Sequence, residues 1–243
     1  MGIIDRWKQW SNKGSTHLYT LPNARFHIRP DTYDRFMIDE VWNHDEYFLD
    51  SIPSLPPGHI IDIGGHIGGF ATKANLLFPH HSILAFEPAP DNYRLLRRNL
   101  QLNHCAAVKP ISKAISNHQG QSTLHFDPSH TGGHSLIPIS GKPAIQVDCT
   151  TLDAVTANEK IDAISYLKLD CEGSEYRILE SISEEAWLRI GFLGVEFHPM
   201  EGIDALEVCA RIVARGFRQL HQKKGYLPGQ FTAVFQRLQY GIQ

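Results

Sequence analysis

The chain contains no apolar run approaching the roughly 20 residues that a membrane-spanning helix needs. Its first residues build no secretory leader either, because Asp5, Arg6 and Lys8 interrupt the stretch from Met1 to Trp10. Basic charge is scarce: 23 Lys and Arg stand against 26 Asp and Glu, for a formal net charge of -3. Such a balance gives no basic footprint for a nucleic-acid backbone or an anionic membrane surface. Only four cysteines occur, Cys105, Cys149, Cys171 and Cys209, and no two form a C-x-x-C pair. That usage argues against a disulfide scaffold and suits buried free thiols in a reduced compartment. Repeats and low-complexity tracts are also missing. Together these absences predict a soluble cytoplasmic protein with no nucleic-acid or membrane partner.

What is present is enough material for one substantial core, since 42% of the 243 residues are hydrophobic. From Ile60 onward, short apolar runs alternate with helical patterns, the signature of an α/β fold with a mostly parallel sheet and helices on both faces. The predicted strands are His59 to Ile63, Ser82 to Phe86, Val108 to Ile115, Ile164 to Leu169 and Phe192 to Phe197, with a terminal antiparallel hairpin from Phe217 to His221 and Phe231 to Gln236. Helices are expected from Gly68 to Phe78, after an Asp91 N-cap, from Ser174, and from Ile203 to Arg215, the last closed by Gly216.

Two stretches fall outside this rhythm. Residues 1–50, with a possible strand Phe26 to Ile28 and an amphipathic helix Thr32 to Trp42, are expected to form a cap on the substrate side of a domain spanning 51–243. Residues 120–149 lose the helical period and surround the glycine-rich Thr131-Gly132-Gly133-His134, so they read as an extended insertion lying over the sheet.

Open α/β sheets bind ligands beyond the carboxyl ends of their strands. Beyond the first strand the sequence runs Asp62-Ile63-Gly64-Gly65-His66-Ile67-Gly68, where glycines permit a tight turn and let a ligand approach backbone N–H groups. The spacing differs from the G-x-G-x-x-G that hugs a pyrophosphate, and S-adenosylmethionine (SAM), which has no phosphate, tolerates a looser loop. Glu87, before Pro88, ends the second strand where a dinucleotide fold places its ribose-binding acid. A NAD-dependent oxidoreductase shares both features and is the rival from another class. A SAM-binding module without catalysis is a further alternative.

The ordered set Ile61 to Gly68, Ala85-Phe86-Glu87-Pro88, Asn99 to Asn103, Thr150-Thr151-Leu152-Asp153 and Leu167 to Glu175 resembles the FkbM family of SAM-dependent methyltransferases. Arg29-Pro30 with Thr32-Tyr33-Asp34 is similar to that family's upstream element, so the resemblance covers most of residues 26–200. It implies a class I methyltransferase fold and, commonly, O-methylation of hydroxyls on sugars or natural products. It also implies a cofactor site at Asp62, Gly64, Gly65, His66, Gly68, Glu87, Pro88 and Asp170, with Tyr33 and Asp34 closing over SAM. No carboxylate of the third strand is placed for adenine, so backbone groups around Ile115 take that role.

Methyl transfer to an aliphatic hydroxyl also needs a group that takes the acceptor's proton. Asp170 and Glu172 follow the fourth strand, and Glu196 and His198 end the fifth, so all four can face one crevice holding a small-molecule acceptor. Among them His198 is the leading candidate base, because its titration range suits the role. A satisfied structural histidine is the competing reading. The same four residues can ligate a divalent cation through oxygen and nitrogen. No compact motif marks such a site, and no metal is assigned from sequence.

Overall fold

The structure is a computed structural model that describes residues 15–126 and 130–238. Residues 1–14 of the expected cap and 127–129 of the expected insertion lie outside the described residues. In chain order the strands are β1 (His17–Leu21), β2 (Ala24–Ile28), β3 (His59–Ile63), β4 (Ser82–Phe86), β5 (Val108–Ile111), β6 (Ala114–Ile115), β7 (Gly120–His125), β8 (Ala144–Thr150), β9 (Ile164–Leu169), β10 (Ile190–Phe197), β11 (Phe217–Lys224) and β12 (Phe231–Arg237). The α-helices are α1 (Asp34–Trp42), α2 (Gly69–Leu77), α3 (Pro90–Leu102), α4 (Leu152–Asn158), α5 (Glu175–Ser181), α6 (Glu184–Arg189) and α7 (Ala205–Ala214).

The continuous apolar runs, which have no polar face to offer water, fill the middle of a seven-stranded sheet ordered β11-β12-β10-β9-β3-β4-β5. Strands β3, β4, β5, β9 and β10 are mutually parallel, and β12 pairs antiparallel with both β10 and β11. On one face Phe70, Ala74 and Leu96 of α2 and α3 pack on Ile60 and Ile83. On the other, Val155, Ile178, Trp187 and Ile212 of α4 to α7 cover Ile61, Leu167 and Leu193. The chain therefore forms the expected α/β sheet. It runs outward from β3 to β5 and returns to β9 beside β3, so strand order reverses at the β3/β9 seam, and a crevice opens there.

Several local expectations are corrected. The run from Val108 to Ile115 is two strands: β5 stays at the sheet edge, the place where Pro110 can lack an N–H, while β6 leaves to join a separate three-stranded sheet ordered β6-β8-β7. Asp91 does not cap α3. The helix begins at Pro90, whose fixed φ suits the first helical position, and Asp91 sits in the first turn, 2.8 Å from Arg94. Strand β1 and helices α4 and α6 were not anticipated. Thr151 and Ser183 cap those two helices by accepting from Ala154 N (3.1 Å) and Ala186 N (3.2 Å). Among the described residues, no helix is long and apolar enough to cross a membrane.

The β1–β2 hairpin and α1 are fastened to the crevice side of the sheet. Trp42 Nε1 donates to Gly69 O (3.1 Å), and Ile38 packs where a Cβ on Gly69 would lie, at 3.0 Å. Asn99 of α3 is fully buried: its Oδ1 accepts from His27 N (2.7 Å), and its Nδ2 donates to Ile67 O (2.9 Å) and His27 O (3.2 Å). Asn99→Ala strands buried backbone groups of both the hairpin and the loop after β3. A loss of about 2 kcal/mol is expected, measured by urea unfolding.

Candidate active site

Where β3 ends, the chain must turn beside the turn that follows β9. Gly64 makes this possible: it has φ +81°, and a Cβ there would lie 1.8 Å from Asp170 O, so no other residue fits without moving backbone. The N–H groups of Gly64 and Gly65 both donate to Phe86 O, at 3.1 and 2.8 Å. His66, at φ +46°, then points its own N–H at Glu87 Oε2 (2.9 Å).

Glu87 accepts a second N–H, from Ala89, at Oε1 (2.8 Å). Burial is the main influence on this carboxyl and pushes it up to about 7, against the pull of those two backbone donors. Each of its oxygens retains a lone pair for a donor from the adjoining cleft. That cleft encloses about 590 Å³ of free space including its mouth, and is lined by Gly64, His66, Phe86, Glu87, Pro88, Ile115 and Asp170 among others. An adenosyl group fits this donor set: a ribose diol can donate to Glu87, and apolar Phe86 and Ile115 offer walls to a purine.

A second, larger cleft of about 1330 Å³ adjoins the first, and both are lined by Met37, Gly64, His66, Asp170 and Glu172. Tyr33, Tyr47, Phe70 and Tyr226 supply aromatic walls, and Lys168, Glu196 and His198 supply charge. Lys168 is buried between two acids: Nζ lies 3.2 Å from Asp62 Oδ1 and 3.4 Å from Asp170 Oδ2, and it donates to Gly64 O at 2.6 Å. Tyr47 Oη donates to Asp170 Oδ2 (2.9 Å) and lies within hydrogen-bond reach of Glu196 Oε2 (3.2 Å). Burial pushes Glu172 up to about 7 and Glu196 up to about 8, the latter helped by the charge of Asp170.

His198 is itself buried. Its Nδ1 lies 3.1 Å from Glu175 Oε1, and its Nε2 lies 3.4 Å from Glu172 Oε2 and 3.9 Å from Glu196 Oε1. Burial lowers the imidazole pKa, but the three carboxylates outweigh it and raise it well above the ordinary value. The ring thus stands among the acids of the cleft, where the sequence-based reading places a general base and where it also balances their charge. Glu175 also closes the turn before α5, accepting from Cys171 N (2.6 Å) and Gly173 N (2.8 Å).

Of the residues singled out in the sequence, Gly64, His66, Glu87, Pro88, Ile115, Asp170 and Glu172 line the first cleft, while Tyr33, Gly65, Glu196 and His198 line the second. Three line neither. Asp62 is wholly buried against Lys168, and Gly68 is the N-cap residue of α2. Asp34 is also wholly buried, behind the loop: Arg29 binds it through Nε (2.9 Å) and Nη2 (2.7 Å), Thr131 Oγ1 donates to it (2.7 Å), and His66 Nε2 stands 3.3 Å away. Met37, Asn92, His134 and Leu136 of the first cleft and Tyr47, Phe70 and Gln230 of the second were missed. Among these only the region of His134 carried a signal, the adjacent glycine pair.

A strand-order switch flanked by a glycine turn and a buried acid at the next strand end defines the Rossmann-like class of α/β folds, to which SAM-dependent methyltransferases and nicotinamide enzymes both belong. Residues 62–219 match the family described as Methyltransferase FkbM domain, and the chain belongs to that family. "Methyltransferase sdnD" of Sordaria araneosa is 27% identical over 236 residues, covering 84% of this chain and 90% of the relative. "31-O-demethyl-FK506 methyltransferase FkbM" of Streptomyces tacrolimicus is 28% identical over 214 residues, covering 75% and 81%. Among solved structures, magnesium protoporphyrin IX methyltransferase (ChlM) from Synechocystis PCC 6803 with bound SAM superposes with TM-score 0.53 at 9% identity, covering 96% of this chain and 90% of that one. Methyltransferase FkbM from Methylobacillus flagellatus KT gives 0.51 at 16%, covering 74% and 43%. At those identities the likeness concerns the fold. Family membership makes the chain a methyltransferase and displaces the nicotinamide alternative.

Proposed function

We propose that the chain uses SAM to methylate a hydroxyl oxygen on a small sugar-like or natural-product acceptor. The observation that carries this reading is the pair of adjoining clefts meeting at Gly64, His66 and Asp170. One offers Glu87 and apolar walls to an adenosyl group, and the other offers aromatic rings and carboxylates to a polar acceptor. SAM, when bound, supplies a methyl group activated by its sulfonium.

The residues of the chain position and protect. Gly64 and Gly65 bring backbone close to the ligand, Glu87 holds the ribose, and Asp170 stands at the junction. Asp170, Glu172 and Glu196 are the groups placed to hydrogen-bond acceptor hydroxyls, and Glu172, pushed up to about 7 by burial, is the one poised to take up a proton, with His198 beside them. Tyr33 and Phe36 of the N-terminal segment line the outer side of the acceptor cleft and restrict water. The relative named as a 31-O-demethyl-FK506 methyltransferase supports an oxygen acceptor on a natural-product-like molecule.

Incubation with methyl-labelled SAM and a library of glycosides and polyketide alcohols tests the reading. Label in a new ether is the expected result, and label only in amines or thiols overturns it. Calorimetry with S-adenosylhomocysteine tests the cofactor half. Glu87→Gln is expected to weaken binding about 10- to 100-fold, the worth of one or two charge-assisted hydrogen bonds. Because hydroxyl donors favour the ionised carboxylate, wild-type affinity should fall as pH drops through about 7, the range to which Glu87 is pushed. Affinity that is flat between pH 6 and 8 removes Glu87 from the ribose.

A further inference from the structure

Large apolar rings stand in the open at the mouth of the acceptor cleft. Tyr33, Phe36 and Tyr226 are 47%, 38% and 64% exposed, and Leu227 beside Tyr226 is exposed too. All four line the cleft. They come from two distant parts of the chain. Tyr33 is the N-cap residue of α1 and Phe36 lies in its first turn, three residues on and so on the same face, while Tyr226 and Leu227 occupy the turn between β11 and β12. Single exposed apolar side chains are ordinary, but a contiguous group at the entrance to a cavity marks a surface that an apolar partner covers.

The rings form a row, with centroids 4.4 Å apart from His130 to Tyr33, 6.1 Å from Tyr33 to Phe36 and 5.0 Å from Phe36 to Tyr226. The last two are edge-to-face contacts of the kind aromatic pairs prefer. Polar bonds hold the row in place: Tyr226 Oη donates to Glu40 Oε1 of α1 (2.7 Å), Gly225 N to Gln230 O (2.8 Å) and Leu227 N to Gln230 Oε1 (2.9 Å). The rim is therefore formed before a ligand arrives, and an acceptor loses little in ordering it.

The floor differs in character. Asp170, Glu172 and Glu196 offer hydrogen-bonding oxygens, and the bases among them are already engaged, Lys168 by Gly64 O, Asp62 and Asp170, and His198 by Glu175 and Glu172. Burial raises the Asp170 carboxyl, but the charges of Lys168 and His198 outweigh it and hold it below its ordinary value. A phosphate or carboxylate on the acceptor would meet that ionised acid with both floor bases taken.

We propose that the row of His130, Tyr33, Phe36 and Tyr226 selects the acceptor, admitting an uncharged alcohol that carries its hydroxyl on a body with a continuous apolar face and rejecting anionic ones. The inference rests on the reading of the larger cleft as the acceptor site. The rings pack on the apolar face while the hydroxyl reaches the carboxyl groups below, so the rim governs binding rather than methyl transfer itself.

The test uses the full chain saturated with S-adenosylhomocysteine and three probes that share one sugar: hexyl β-glucoside, methyl β-glucoside and glucose 6-phosphate. Calorimetry gives the dissociation constants, and saturation-transfer NMR shows which protons touch the protein. Hexyl glucoside is expected to bind about tenfold tighter than methyl glucoside, the worth of roughly two buried methylene groups, with saturation strongest on its alkyl protons; glucose 6-phosphate is expected to bind most weakly. Phe36→Ser and Tyr226→Ser are each expected to cut the hexyl preference about threefold, and Tyr226→Phe, which keeps the ring, to preserve it. S-adenosylhomocysteine affinity should stay as it is in the serine variants, since the first cleft is lined by neither ring. Circular dichroism checks each variant for folding. Equal affinity for the two glucosides, no binding of either, or a preference untouched by both serine variants overturns the rim. So does a dimer in sedimentation velocity that Tyr226→Ser dissolves, because the rings would then serve a second copy of the chain. Failure of the wild type to take up S-adenosylhomocysteine counts instead against the cofactor reading.

Discussion

Lys168→Met is expected to lower the unfolding free energy by about 3–5 kcal/mol, the usual cost of removing one partner from a buried charge pair. Met approximates the length of the side chain, so the loss isolates the ammonium. Without it the wholly buried Asp62 has no compensating charge, and Gly64 O loses its donor. For a domain of this size the change corresponds to a midpoint lowered by roughly 6–20 °C. Urea and thermal unfolding followed by circular dichroism measure it. Adding Asp62→Leu should recover part of the loss, because an apolar pair can replace a buried ion pair at little cost. A deficit below about 1 kcal/mol would mean that water reaches the pair.

Asp34→Ala is expected to cost a similar amount, about 3–5 kcal/mol, and to weaken S-adenosylhomocysteine binding as well. Burial alone would raise the pKa of Asp34, yet hydrogen bonds and charge from His66 and Arg29 hold it well below the carboxylate range. A carboxyl depressed on folding contributes stability above its unfolded pKa of about 3.9, and the contribution fades as pH falls towards the folded value. The gap between wild type and Asp34→Ala should therefore be full at pH 7 and shrink below about pH 4. A gap constant from pH 7 to pH 2 assigns the effect to packing. The binding loss follows from geometry, since Asp34 lies 3.3 Å from the His66 ring while His66 N–H holds Glu87.

The central sheet could be read from sequence because its strands are double-sided: Ile60-Ile61, Ile83-Leu84 and Leu167 to Leu169 have no face that tolerates water. The edges were harder. Strand β1, with an exposed His17 and Leu18, lacks a burial pattern, and only pairing with β2 makes it a strand. Helices α4 and α6 span seven and six residues, too short to show a full apolar period, although Thr151 and Ser183 were present as caps. Strand ends pointed to Glu87, Asp170 and Glu196, which all line the two clefts. Which face of the turn each loop residue shows is decided by contacts far along the chain. Asp62 fell to Lys168 and Asp34 to Arg29 and Thr131, so neither reached a cleft. Tyr47 and Gln230 enter from segments separated from Glu196 by 149 and 34 residues, and nothing local announces them.

The knot of bonds around Asp34 bears on how the chain matures as it is made. Asp34 and Thr131 are 97 residues apart, and Arg29 also donates to Asn92 Oδ1, 63 residues on. On a ribosome adding about 5–20 residues each second, the amino-terminal hairpin waits several seconds or longer for those partners to emerge. Until then its carboxylate stays hydrated and the hairpin undocked. The glycine loop after β3, whose His66 ring stands 3.3 Å from Asp34, thus completes its contacts only after Thr131 has left the exit tunnel, a late event in synthesis.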